Sequence, residues 1–156
     1  MRRALLALAL TLLAPAASAD LGINLYGLSY HFDRSRASEL GLDNEVNPGL
    51  GLRYRARHSE RLDWIFDVGG YRDSGRNTAL LAGAGGLYRI TEHLRLGGAL
   101  VAFDSKTYNR GKTVLAPLPL AAIDTARMTF NFVYTPSISD LNDVATLGFW
   151  VTWWIR

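Results

Sequence analysis

Cysteine is absent from the 156 residues, so no disulfide framework can hold this chain together, and its stability must come from a large core or from a membrane. No stretch downstream of the N-terminal segment reaches eighteen consecutive apolar residues. That excludes a membrane-spanning helix. Charge of one sign is also lacking. Taking Arg2 and Arg3 from the seventeen Lys and Arg leaves fifteen against fourteen Asp and Glu, which argues against nucleic acid as a partner. Histidine is scarce, and His58 and His93 stand alone without metal-ligand spacing, so no metal or other cofactor is expected.

What is present points outward from the cell. Arg2 and Arg3 precede a short apolar run, Ala4 to Leu13, and a small-residue site, Ala17-Ser18-Ala19. This is the pattern of a cleaved secretory signal over residues 1–19, leaving residues 20–156 as one domain. That domain is rich in glycine and in aromatic residues, including Trp64, Trp150, Trp153 and Trp154. An exported chain of this composition is expected to be all-β, as a barrel in the outer membrane of a Gram-negative bacterium.

Alternation supports the expectation. Tyr26, Leu28, Tyr30 and Phe32 share one face of a first run; Leu50, Leu52, Tyr54 and Ala56 oppose Arg53, Arg55 and Arg57 in a second. Trp64, Phe66 and Val68 oppose Asp63 and Asp67 in a third. A fourth, Thr78 to Arg89, is small and apolar on both faces, and Leu94 to Leu100 carries a fifth. Thr113 to Ala122 contains Pro117 and Pro119, which cannot donate to a ladder, so a local gap between strands is expected there. Arg127 to Thr135 and Leu147 to Ile155 complete an even set of eight. Period-two runs of this length cross a bilayer when tilted and close into an eight-stranded antiparallel transmembrane β-barrel. Eight strands leave an interior that side chains nearly fill, which excludes a general porin.

The turn after the third run, Tyr71-Arg72-Asp73-Ser74-Gly75, holds an acid beside a hydroxyl. The topology puts it at the outer rim with His31, at the end of the first run. A base, an acid and a hydroxyl at a membrane surface suit acyl transfer. Asp-Ser-Gly is equally ordinary turn chemistry, and adjacent residues on a regular strand face opposite ways.

Five short matches in order resemble the lipid A palmitoyltransferase (PagP) family of outer-membrane barrels, between Leu25 and Trp154. They are Tyr30-His31, Tyr71-Arg72-Asp73-Ser74, Ala82-Gly83-Ala84-Gly85, Leu118-Pro119-Leu120-Ala121 and Tyr134-Thr135-Pro136. Gly75 and Arg76 depart from that family's pattern after Asp-Ser. The resemblance implies a monomeric acyltransferase moving a palmitoyl chain from an outer-leaflet phospholipid donor to lipid A. His31, Asp73 and Ser74 would be catalytic. Gly85 would floor an acyl well walled by Ala82, with Pro119 at a lateral entry. The rival expectation is a non-catalytic small outer-membrane barrel, structural or surface-binding. Lipid A deacylation is disfavoured, because the last two runs contain no histidine.

Overall fold

The computed structural model describes residues 19–138 and 141–155; of the expected signal segment, residues 1–18 lie outside them. Eight antiparallel strands follow in order: β1 (Ala19–His31), β2 (Val46–Arg57), β3 (Leu62–Arg72), β4 (Thr78–Arg89), β5 (Leu94–Asp104), β6 (Val114–Asp124), β7 (Met128–Thr135) and β8 (Thr146–Ile155). Each pairs with the next, and β1 pairs with β8 from Leu21↔Ile155 to His31↔Thr146. The sheet is therefore closed within one chain, with no edge left to template another.

The alternation has a clear physical outcome. Leu50, Leu52, Tyr54, Trp64, Phe66, Val68, Leu80, Leu96 and Leu100 face outward and are exposed, the apolar band that lipid covers. The inward residues fill the lumen in two zones. One is apolar, built from Ile65, Leu87, Ala99, Val101, Leu118, Leu120, Ala122 and Trp150. The other is ionic. Arg53 forks onto Asp67, Arg55 reaches Asp20 and Asp124, and Arg95 bridges Asp63 and Asp124. Each guanidinium meets a carboxylate, so most of this interior is paired rather than wet.

One residue departs from strict alternation. The β1 register slips between Tyr26 and Leu28 against both neighbouring strands. A bulge at Gly27 inserts one residue, so Tyr26 turns inward while Leu28 stays outward. The Tyr26 ring lies 5.4 Å from Tyr71 and 6.0 Å from Trp150. Gly51 and Gly69, opposite each other in β2 and β3, make room for it; a Cβ on either would come within about 3 Å of the ring.

The expected gap is present. Pairing between β6 and β7 runs only from Asp124↔Thr129 to Leu120↔Val133. Pro117 and Pro119 lie beyond its end, on a side of β6 where no donor is needed.

The connections divide by length. Residues 58–61, 90–93 and 125–127 are tight turns at the end where β1 begins and β8 finishes. Residues 32–45, 73–77, 105–113, 136–138 and 141–145 form the opposite end. Short turns belong to the periplasmic side and long loops to the extracellular side.

Candidate functional site

The extracellular loops are bonded to one another rather than free. The loop after β1 opens with α1 (Arg34–Glu39), whose first turn is capped by Asp33, accepting from Arg36 N at 2.9 Å. Its buried Ala37 packs with Leu42 and with Val144 of the last loop, a small core of its own above the barrel. Past Gly41, at φ +68, the chain returns to the rim. There Asn44 Nδ2 donates to Asp73 O at 3.1 Å and to Val46 O at 2.8 Å, and Asn47 Nδ2 donates to Arg72 O at 3.0 Å. Arg76 pairs with Asp43 at 2.9 Å. That pairing holds the Asp43 carboxyl below its usual range.

Asp73 is the hub of the second pair of loops. Its Oδ1 accepts from Asn77 N at 2.9 Å, closing its own turn, and its Oδ2 accepts from Ser105 Oγ across to the β5–β6 loop. Asn77 Nδ2 adds a bond to Thr107 Oγ1 at 3.0 Å. The turn requires Arg76 at φ 63, an unfavourable position for a side chain that these bonds hold in place. Ser74 faces Tyr108, whose hydroxyl is pushed up to about 12 by burial, with Asp73 reinforcing the shift and the hydrogen bond to Ser74 opposing it.

His31, Asp73 and Ser74 thus do share the outer rim. They do not form a relay. They are only 2, 0 and 3 % exposed, and the segment Asn44–Glu45 ties into both sides between them. His31 N donates to Glu45 Oε1 at 3.2 Å, while its Nδ1 stands 3.7 Å from the same oxygen. Among the described residues His31 bonds to neither Asp73 nor Ser74.

The expected acyl-binding residues are also dispersed. Gly85 faces inward, where a Cβ would lie 2.2 Å from Gly98 O and 2.7 Å from Ala99 Cα. It is a point of close strand approach. Ala82 and Pro119 face outward and are exposed. The hollow near Pro119, lined by Gly98, Ala99, Leu100, Pro117, Leu118 and Pro119, is an open groove on the outer wall.

Sequence reasoning missed Ser105, Tyr108, Asn44 and Glu45. Only the polar character of their loops hinted at them, because contacts between loops follow no period. If Asp73 is the tie that its bonds describe, Asp73→Ala should free Ser105 and the Asn77 amide. The loss should be about 2–4 kcal/mol of stability, a buried network broken on one side. Protease nicking within residues 105–113 should rise by at least about tenfold. An unchanged unfolding midpoint and nicking rate would remove Asp73 from this role.

No protein-family model matches the chain, and no curated protein does. Solved structures do. The Yersinia pestis outer membrane protein Ail, determined in a phospholipid bilayer nanodisc, aligns at a TM-score of 0.53 with 18 % identity, over 88 % of this chain and 100 % of that one. Ail, the attachment invasion locus protein of the same organism, in complex with the heparin analogue sucrose octasulfate, aligns at 0.43 with 14 % identity, over 88 % and 97 %.

These findings overturn the palmitoyltransferase expectation. The barrel that aligns at a TM-score of 0.53 is Ail, not a member of that family, and no phospholipid donor or lipid A acceptor is shown. Beside Gly85 the paired strand β5 stands where a side chain would go, and the Asp73 carboxylate is bonded to Asn77 and Ser105. The chain is a closed eight-stranded antiparallel β-barrel of the Gram-negative outer membrane.

Proposed function

We propose that this barrel is non-catalytic and binds an anionic glycan at the cell surface through its bonded extracellular cap. The observation that carries the reading is the set of ties just described. The described loop residues are tied to one another before any partner arrives, so binding need not order them, and that ordering is a main cost of association. In this reading His31, Asp73 and Ser74 are positioning residues of the cap.

The chemistry of the partner follows from charge. Within the cap Arg34, Arg36 and Arg76 are already paired with Glu45, Glu39 and Asp43. The β5–β6 loop adds Lys106 and Lys112 over seven residues. Its tip is held by three successive left-handed residues, Asn109, Arg110 and Gly111. Asn109 Nδ2 donates across that tip to Lys112 O at 3.3 Å. A fixed cationic tip in the outermost layer suits sulfate or phosphate groups on a saccharide.

Intact cells expose only this end of the barrel, so they give the test. Cells expressing the chain should adhere to a surface coated with sulfated polysaccharide and not to neutral dextran. Adhesion should fall as salt is raised through about 0.5 M, where the Debye length shrinks to a few ångströms. The Lys106→Ala/Lys112→Ala variant, at equal surface level, should bind roughly fivefold more weakly, as two exposed ion pairs of about 0.2–1 kcal/mol each imply. Lipid A from the same cells should carry no added acyl mass. Equal adhesion to both surfaces would defeat the binding reading, and an added acyl chain would defeat the non-catalytic one.

A further inference from the structure

The ionic zone of the lumen leaves three arginines over. Arg53, Arg55 and Arg95 all meet aspartates. Arg57 at the end of β2, Arg61 in the turn after it and Arg89 at the end of β4 do not. Among the described residues none of the three has a side-chain hydrogen bond or ion pair, and Arg89 Nε is buried without an acceptor. Together with Glu60 they line one hollow of about 450 Å³ at the periplasmic mouth of the barrel.

The arrangement is held by backbone. Arg89 N donates to Arg61 O at 2.7 Å, which fixes the β2–β3 turn against the last residue of β4. Trp64 and Tyr88, exposed on the outer wall at this same end, mark the level where the inner-leaflet headgroups begin. His58 lies against the Trp64 ring at 5.6 Å. Three guanidiniums of like charge repel one another, and a buried N–H without an acceptor is costly. An oxyanion with several acceptor oxygens would relieve both, and planar guanidinium forks match a phosphate best. Glu60 opposes this with one negative charge against three positive ones.

We propose that Arg57, Arg61 and Arg89 form a phosphate-binding site at the periplasmic mouth, filled by the phosphate of an inner-leaflet phospholipid head or by a free phosphate of the periplasm. The site is separate from the extracellular cap, and its test does not depend on the surface-binding reading.

The test uses the whole barrel in dodecyl maltoside micelles, which carry no phosphate, with ¹⁵N-labelled arginine. In one arm inorganic phosphate is titrated; in the other phosphatidylglycerol is added to the micelles in growing fraction. The Arg89 Nε–H resonance should shift saturably in at least one arm, and the arm in which it does so identifies the source. Arg57→Gln and Arg61→Gln should each weaken that binding by about tenfold, the loss of one charge-assisted pair. Glu60→Gln should tighten it while leaving the charged trio intact. Arg89→Gln, followed through the Arg57 and Arg61 resonances, should abolish saturation. A shift that stays linear in both arms, or saturation equal in all four variants, would overturn the site.

Discussion

Arg53→Ala should lower the stability of the barrel by about 3–5 kcal/mol, the cost of leaving one member of a buried ion pair alone. Arg53 is 1 % exposed. Its Nε and one terminal nitrogen fork onto the two oxygens of Asp67, both at 2.8 Å, and the other nitrogen reaches Asn131 Oδ1 at 2.6 Å. Asp67 also accepts from Asn24 Nδ2 at 2.9 Å. Thr152 donates to Asn24 at 2.7 Å, and Asn131 to Thr152 at 2.9 Å. The result is a closed circuit through β1, β2, β3, β7 and β8, which locks the strands on either side of the β1–β8 closure. Alanine removes three donors at once and leaves the Asp67 carboxylate facing a void. Urea unfolding in detergent, followed by tryptophan fluorescence, reads the loss; Trp150 lies with the Arg53 guanidinium 5.5 Å from its ring centroid. The double replacement Arg53→Met/Asp67→Leu should recover much of the loss, because it removes both charges and refills the volume. A single variant as stable as wild type, or a double variant no better than the single, would show that the circuit contributes little.

How much of this could be read in advance divides along a physical line. Period-two alternation reports which face a residue takes, and lipid outside with packed side chains inside makes that signal strong. Leu52 outside and Arg53 inside, or Phe66 outside and Asp67 inside, follow from it directly. Alternation assumes a uniform pleat, so it misplaced Tyr26, which Gly27 turns inward by one extra residue. The row Arg53, Arg55 and Arg57 was visible as cationic, but its partners were not. Asp20, Asp67 and Asp124 are brought to it by strand register and barrel closure, which no local pattern encodes.

The candidate site shows the same division. Asp73-Ser74-Gly75 was legible as a turn at the outer rim. Its use was not, because Ser105, 32 residues away, decides what Asp73 does. The five short family matches failed for a related reason. Small residues around Gly85 are demanded by close strand approach, and Pro119 by a seam that needs no donor. Any tightly wound eight-stranded wall asks for these residues at such places, so the matches report barrel mechanics before they report chemistry.

Gly85→Ala separates those two meanings most sharply. In an acyltransferase with Gly85 at the floor of its well, an added methyl would leave the fold intact and shorten the accepted chain by about one methylene, a change of about 0.8 kcal/mol in tail binding. Here the methyl carbon would sit 2.2 Å from Gly98 O and 2.7 Å from both Cα and Cβ of Ala99. Two of these three neighbours are backbone of the paired strand β5, which cannot step aside without parting the ladder. Two register positions away from the pair, Gly97 is tighter still, at 1.9 Å from Gly86 O, so the wall has no slack along this stretch to absorb a shift. The expected loss is about 3 kcal/mol, the upper end for overpacking, read as a lowered urea midpoint and as a smaller fraction of heat-resistant compact barrel on a gel. Gly27→Ala supplies the contrast: nothing lies within 4 Å of its Cβ, and its effect should stay within about 0.5 kcal/mol. Adding Ala99→Gly to Gly85→Ala removes the Cβ contact but leaves both backbone contacts, so it should restore less than half of the loss. Full stability of Gly85→Ala would mean that the β4–β5 wall yields where its geometry says it cannot, and that the volume beside Gly85 is open.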